Sequence, residues 1–131
     1  MIPNLAEHVV DLTGRLGAAA SDRQVYGHVP EEPLVPCMIV QGAEDVIQAD
    51  PDATGAGEYL VTLDVVLLVE LDDEHDNADA TTALWTSLAQ LATVLEDRGC
   101  PWWLVQVSQP GTLQTTYWQH HGVTATVRTR T

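Results

Sequence analysis

The sequence contains no lysine, and its only positively charged side chains at neutral pH are five arginines. Without lysine the chain can form neither a Schiff base with a carbonyl substrate nor the lysine contact of a P-loop. Because 19 aspartates and glutamates oppose the arginines, the formal net charge is -14. Such a chain repels the phosphates of nucleic acids and of anionic membranes. We therefore expect a soluble protein that binds neither nucleic acid nor membrane.

Cysteine is also scarce, since Cys37 and Cys100 are the only two. Two isolated thiols supply neither a metal cluster nor a disulfide framework, so we interpret them as small buried hydrophobic side chains of a reducing cytoplasm. The segment MIPNLAEHVV carries acid where a signal peptide carries basic residues. The longest apolar run is shorter than a membrane span requires. We expect no export signal.

Recognisable catalytic and metal-binding motifs are missing as well. His120 and His121 are adjacent, so on a strand they would point to opposite faces, and the other histidines are scattered without zinc spacing. Ser87 and Ser108 do not lie in a nucleophile elbow, and no glycine-rich phosphate loop is present. We expect a protein that is not an enzyme and that has no cofactor and no metal. A catalytic cluster formed only in space is the alternative that spacing leaves open.

The strongest pattern is in residues 59–71, which read YLVTLDVVLLVEL. Every odd position is apolar, and β-branched residues and leucines fill the segment, so it predicts one long strand with a buried face. The even positions mix polar and apolar side chains, which is typical of a strand face that meets solvent or another subunit rather than a second core. These even positions include Thr62, Asp64, Val66 and Leu68.

Two amphipathic helices are predicted on either side of this strand. Apolar residues recur at spacings of four, three and four between Leu5 and Leu16, which predicts a helix that begins near Asn4 and ends near Gly17. The same spacing recurs in a second helix over about residues 78–98, and Gly99 follows as a stop signal. Both helices therefore have one apolar side.

The remaining elements are strands and loops. Prolines in residues 25–36 exclude a helix there, and a short strand follows at residues 37–41. Most of residues 43–57 is predicted to be an acidic loop, with an extended segment at residues 46–48 as an alternative within it. Two further strands are predicted in WWLVQVSQP, from residue 102, and over about residues 116–129. The sequence thus predicts one α+β domain over residues 1–131, in the order helix, strand, strand, helix, strand, strand.

A cluster of acid lies in ELDDEHDNAD, immediately after the long strand. Carboxylates in such density suggest calcium, but counting from Asp72 places Asn77 and Ala83 where an EF-hand needs glycine and glutamate. We favour a capping role for Asp76 or Asn77 at the start of the second helix, with calcium as the alternative.

The order of these features resembles the tail terminator proteins of long-tailed bacteriophages, especially those of actinobacterial hosts. The resemblance is carried by VYGHVPEEPLVPCMIVQ, by the long strand that leads through a polar turn into a helix, and by the final VTATVRTRT. It covers essentially the whole chain and contains no catalytic signature. It implies a mostly antiparallel sheet of about four or more strands with both amphipathic helices packed on one face.

The resemblance also implies an assembly and its partners. Copies would form a ring, typically a hexamer, at the head-proximal end of the tail in the virion, after assembly in the host cytoplasm. The implied partners are other copies of the chain, the major tail tube protein and a head-completion or stopper protein. DNA would pass through the ring without specific binding.

Two sets of residues are candidates for this function. We predict that the even face of the long strand is an assembly interface, and that acid lines the channel and repels passing DNA. The interface candidates are Thr62, Asp64, Val66 and Leu68, and the channel candidates are Asp72, Asp73, Glu74 and Asp76, or alternatively Asp45, Asp50 and Asp52. Two other functions stay open, namely a head–tail stopper or adaptor, and an acidic DNA-mimic inhibitor, against which the clustering of acid in turns argues.

Overall fold

The computed structural model describes residues 3–52, 58–70 and 77–131. The predicted α+β class is confirmed, since two helices and a six-stranded sheet form within these ranges. The elements are α1 (Leu5–Ala19), β1 (Gln24–Tyr26), β2 (Cys37–Ala49), β3 (Tyr59–Val69), α2 (Asn77–Leu95), β4 (Trp102–Val107), β5 (Gly111–Gln114) and β6 (Gln119–Arg130).

The long strand β3 lies at the centre of the sheet, whose order is β1-β2-β3-β6-β4. β5 pairs with the first part of β6, beside β4. Every pairing is antiparallel except that of β1 with β2, which is parallel. Because β3 has a strand on each side, its backbone groups are satisfied along most of its length. The sheet is thus built outward from the segment with the strongest strand pattern.

Both helices pack on one face of the sheet, which confirms that part of the prediction. The odd residues of β3 from 61 to 69 are buried under Leu12 and Leu16 of α1 and under Leu84 and Leu91 of α2. The four-three-four spacing of the apolar residues produces this arrangement, because it places them on one side of each helix. The helix α1 begins where expected, since the Ala6 amide donates a hydrogen bond of 3.1 Å to the Asn4 side chain.

Strand β2 continues to Ala49, so the prediction of a loop over most of residues 43–49 is wrong, whereas the extended alternative for residues 46–48 agrees with the structure. Its pairing with β3 shifts register between Gly42 and Ile47, which is the mark of a bulge. A Cβ at Gly42 would lie 2.8 Å from Cγ2 of Val46, so glycine allows the chain to fold closely on itself there. The acidic, glycine-containing composition is typical of a loop, but the segment is a strand in which residues 43–46 do not pair with β3. Residues 53–57 of the predicted loop lie outside the described ranges.

The even face of β3 was expected to have no second core, and this is wrong for the half of the strand near Val69. Cys37, Ile39, Val66 and Leu68 form a second buried apolar cluster. Residues between β1 and β2 and the β5–β6 hairpin cover it, and the Trp118 indole N–H fastens them with a 2.9 Å hydrogen bond to the Pro30 carbonyl oxygen. Residues 65–69, VVLLV, are a continuous apolar run, as expected for a strand that is buried on both faces.

Candidate assembly surface

The four predicted interface residues lie in two different environments. Val66 and Leu68 belong to the second apolar cluster and are buried within the protomer. Thr62 is buried as well, whereas Asp64 is half-buried, and both contribute to a groove on the other half of the same sheet face. Among the even positions of β3 only Asp64 is partly exposed, and the groove over Thr62 and Asp64 is the open part of this strand face.

The groove has a volume of about 340 Å³ and a floor of paired polar side chains. Thr126 donates a 2.9 Å hydrogen bond to Asp64, and the Arg128 guanidinium donates one of 3.0 Å to the Thr62 hydroxyl. Each pair joins residues that are directly opposite each other in the β3–β6 ladder. The polar side chains of the floor thus have hydrogen-bond partners within the protomer. This suits a contact surface better than a catalytic site, where side chains with perturbed pKa values are expected.

The two walls of the groove differ in chemistry. One wall is the bulge of β2 and carries the exposed carboxylates of Glu44 and Asp45. The other wall is strand β4, which contributes Val105 and Gln106, with Arg128 on the neighbouring strand. The groove is therefore acidic along one side and apolar to basic along the other.

Strand β4 forms one edge of the sheet, and no strand pairs with its outer side in the described part of the chain. Three consecutive apolar residues are exposed there, namely Trp103 at 39%, Leu104 at 45% and Val105 at 41%. The register with β6 shifts between Leu104 and Gln106, so Val105 lies in a bulge. An exposed apolar edge strand readily pairs with another chain, and contiguous exposed apolar surface commonly marks an interaction site.

Basic side chains accompany this apolar edge. Arg128 lies directly opposite Trp103 in the ladder, and the guanidinium carbon of Arg130 is 5.6 Å from the centroid of the Trp103 ring. That distance is within the range of a cation–π interaction. Two of the five arginines therefore lie beside one exposed tryptophan on the outer face of the sheet, which is the face opposite the two helices.

A second free edge lies on the opposite side of the sheet. β1 pairs only with residues 37–39 of β2, so among the described residues no strand covers the outer side of residues 40–49. Gly42 and residues 47–49 of β2 pair with β3 between Tyr59 and Leu63, and residues 43–46 form the bulge between them. This part of β3 pairs with the part of β6 that β4 flanks. Both free edges are thus at the same end of the sheet.

The sequence offered a signal for only one of these edges. The run Trp102 to Val105 has no polar residue, which is unusual for a strand with one solvated face and could have marked an unpartnered surface. The free edge of β2 gave no such signal, because its residues were predicted to be a loop.

The acidic candidates do not form one described surface. Asp72, Asp73, Glu74 and Asp76 lie outside the described residues. Of the alternative set, Asp45 is exposed on the groove wall and Asp52 is exposed in a turn, but Asp50 is buried and forms an ion pair with Arg130. The Asp52 amide donates a 3.0 Å hydrogen bond to Asp50, and this bond together with Arg130 holds the pKa of the Asp50 carboxyl below its usual range. Asp50 therefore has a structural role.

The thiols and histidines in the described ranges show no arrangement for catalysis. Burial raises the pKa of the Cys37 thiol to about 11, so this group stays protonated at neutral pH. Glu70, His120 and His121 line a cleft of about 350 Å³, yet no group of three or more potential ligands is placed to hold a metal ion in residues 3–52, 58–70 and 77–131. Calcium at the acidic turn after β3 falls on residues outside these ranges.

Neither described helix combines the length and the apolarity that crossing a bilayer requires. No protein-family model matches the chain, and a search of the curated proteins gives no match either.

Proposed function

We propose that this chain is a non-enzymatic structural protein of a long-tailed phage, which forms a ring at the head-proximal end of the tail. There it ends polymerisation of the tail tube and joins the tail to the head. One observation carries the assembly part of this proposal, namely that one sheet has two free edges at the same end and that exposed apolar residues line one of them. The phage context comes from the resemblance in the order of elements and in residues 25–41.

Two different free edges favour a ring over a simple pair. When an edge contacts a different edge of the next copy, the interface is head-to-tail, and such interfaces close into rings or extend into filaments. The net charge of -14 supports passage of DNA through such a ring, because an acidic wall does not retain a polyanion.

Electron microscopy and light scattering on the purified chain test the proposal. The expected result is a ring of uniform size that binds the major tail tube protein of the same phage and caps growing tubes at one end. A chain that remains monomeric at concentrations of tens of micromolar contradicts the proposal.

The same preparation distinguishes the proposed function from the two alternatives. A ring that binds the portal complex, and not the tube protein, would assign the chain to the stoppers or adaptors. A monomer or dimer that blocks a DNA-binding enzyme would instead support the DNA mimic, for which the described acids Asp45, Asp50 and Asp52 provide no common face.

A further inference from the structure

We infer that neighbouring copies join by antiparallel pairing of β4 in one copy with residues 43–49 of β2 in the next, so that one sheet continues through the assembly. The inference rests on the proposed function in so far as it requires the chain to self-assemble. It adds which residues form the contact and that the contact is head-to-tail, neither of which follows from self-assembly alone.

The strand directions allow this pairing without inversion of a copy. From β2 through β3 and β6 to β4 each pairing is antiparallel, so β2 and β4 run in opposite directions. A second copy in the same orientation therefore places its β2 antiparallel to β4 of the first. Antiparallel pairing of this kind repeats the hydrogen-bond pattern that already builds the sheet.

The two free edges also match in length and level. β4 has six residues, and the free stretch of β2 from residue 43 to residue 49, which includes the bulge at residues 43–46, is of similar length. β2 pairs here with the part of β3 near Tyr59, and β4 pairs with the part of β6 that lies beside it, so pairing between copies needs no large shift along the strands. Strands in such a pair lie about 5 Å apart, which brings side chains on one face into direct contact.

The side chains on the outer face are complementary. Beside β4 this face carries Trp103, with Arg128 and Arg130 on the adjacent strand, and beside β2 it carries the exposed carboxylates of Glu44 and Asp45. Continuation of the sheet would bring the carboxylates of one copy towards the arginines of the next and would cover the exposed Trp103 and Val105. Charge complementarity of this kind selects the partner and fixes the register.

Pairing of two β4 strands about a two-fold axis is the competing arrangement. It would offer the arginines of each copy no carboxylate, because β4 itself contains no acidic residue. It would also leave both β2 edges uncovered. A second copy presenting β2 is therefore the occupant that the charges favour.

Substitutions on the two edges test the inference. Val105→Lys places a charge on the β4 edge, and Glu44→Arg with Asp45→Arg reverses the charge on the β2 edge. Each variant should lose the oligomer and elute as a monomer in size-exclusion chromatography with light scattering.

Val10→Lys is the control for Val105→Lys, because Val10 is 71% exposed on α1. Glu31→Arg with Glu32→Arg is the control for the charge reversal on the β2 edge, because it makes the same charge change at exposed positions away from both edges. Both controls should retain the oligomer.

Mixing the two edge variants separates head-to-tail contact from two-fold contact. The Val105→Lys chain keeps an intact β2 edge and the double variant keeps an intact β4 edge, so an equimolar mixture should form dimers and nothing larger. Two-fold β4 pairing instead predicts that the double variant assembles alone and that the mixture forms no mixed dimer.

Hydrogen exchange on the unmodified chain provides a measurement that does not depend on the variants. As the protein concentration rises through the assembly transition, amides in residues 43–49 and 102–107 should become protected together. A ring in the unmodified chain that persists in both edge variants, with no added protection on these strands, overturns the inference and leaves the proposed function standing. A monomeric unmodified chain overturns both.

Discussion

Gly122 lies in β6 at a point where three neighbours leave no space for a side chain. A Cβ there would be 2.5 Å from the Leu67 carbonyl oxygen, 2.8 Å from Cδ2 of Leu68 and 3.1 Å from Cδ1 of Leu113. The first of these atoms belongs to the backbone of β3 and can move only if the ladder moves. Glycine at this position therefore allows the second apolar cluster to close over the sheet.

Gly122→Ala should lower the free energy of unfolding by about 1–3 kcal/mol, because it overpacks this cluster. Urea denaturation measures the change. Gly111 is the matched control, since it pairs with Gly122 in β5 but a Cβ there meets nothing within 4 Å. Gly111→Ala should change the free energy of unfolding by less than about 0.5 kcal/mol, as is usual for a site without such contacts. An equal loss in both variants would contradict the role given to Gly122.

Cys37 should resist alkylation as long as the protein is folded. It is fully buried, and with its pKa raised to about 11 only about 0.1% of the thiol is ionised at pH 8, while the thiolate is the reactive form. Mass spectrometry after iodoacetamide treatment should find label on the half-buried Cys100 first. A Cys100→Ser variant isolates Cys37, whose labelling should require urea. Rapid labelling of Cys37 in the native variant would refute the burial argument.

At the scale of elements, the ends of β2 and β6 are joined by the ion pair of Asp50 with Arg130. The hydrogen bond from the Asp52 amide and this ion pair lower the pKa of Asp50, although burial acts in the opposite direction. A carboxyl whose pKa is lower in the folded than in the unfolded chain stabilises the fold above its unfolded pKa of about 4. That contribution is lost as the pH falls through the folded pKa.

Asp50→Asn should therefore be less stable than the unmodified chain at pH 7, and the difference should shrink as the pH falls from about 5 to below about 3. Urea midpoints across this range measure the difference. Glu31→Gln removes an exposed carboxylate away from both edges and outside this ion pair, and should follow the unmodified chain throughout. A difference between Asp50→Asn and the unmodified chain that is independent of pH would show that Asp50 acts through packing alone.

The elements with strong periodicity were predictable from the sequence, and those defined by tertiary contacts were not. Strand β3 and both helices carry apolar residues at regular spacing, so local pattern and burial agree. The second half of β2 was predicted mostly as a loop, with only residues 46–48 extended as an alternative, because its bulge breaks the period of two where acid and Gly42 suggest a loop. The second apolar cluster was missed because its cover comes from Trp118 and from residues between β1 and β2, which are distant in sequence.

The candidate surface was only partly predictable, because it depends both on local periodicity and on tertiary contacts. The sequence identified the even face of β3, yet Val66 and Leu68 are buried within the protomer, and only the groove at Thr62 and Asp64 remains open. Which half stays open depends on loops that pack from elsewhere. The free edges could not be predicted either, since the position of a strand in a sheet is set by pairing over long sequence separations.

At the scale of the whole molecule, net charge opposes self-assembly. Every copy carries a formal charge of -14, whereas an exposed ion pair contributes about 0–1 kcal/mol. Salt screens both the attraction within ion pairs at the contact and the repulsion between whole copies, and the repulsion is the larger of the two effects. Raising NaCl from about 20 mM to about 300 mM, where screening becomes short-ranged, should shift the assembly midpoint to lower protein concentration.

Light scattering over a dilution series at each salt concentration checks this expectation. The Glu31→Arg, Glu32→Arg variant, whose net charge is less negative, should assemble at lower protein concentration than the unmodified chain at low salt. Dissociation of the oligomer on addition of salt would show that local ion pairs outweigh the repulsion between copies.

The neighbouring tryptophans of β4 face opposite sides of the sheet, and this gives the chain two optical probes one residue apart. Trp102 is buried, with its indole N–H donating a 3.0 Å hydrogen bond to Asp11, while Trp103 lies on the outer face beside Arg130. In a Trp85→Phe background three tryptophans remain, and Trp118 packs against the second apolar cluster with its indole N–H donating a hydrogen bond to the Pro30 carbonyl oxygen. Contact along the edge should move the emission of Trp103 to shorter wavelength and shield it from iodide, while the emission of Trp102 and Trp118 stays unchanged. Unfolding should instead move the emission of all three to longer wavelength, so the emission wavelength and the iodide quenching distinguish copies that separate from copies that unfold.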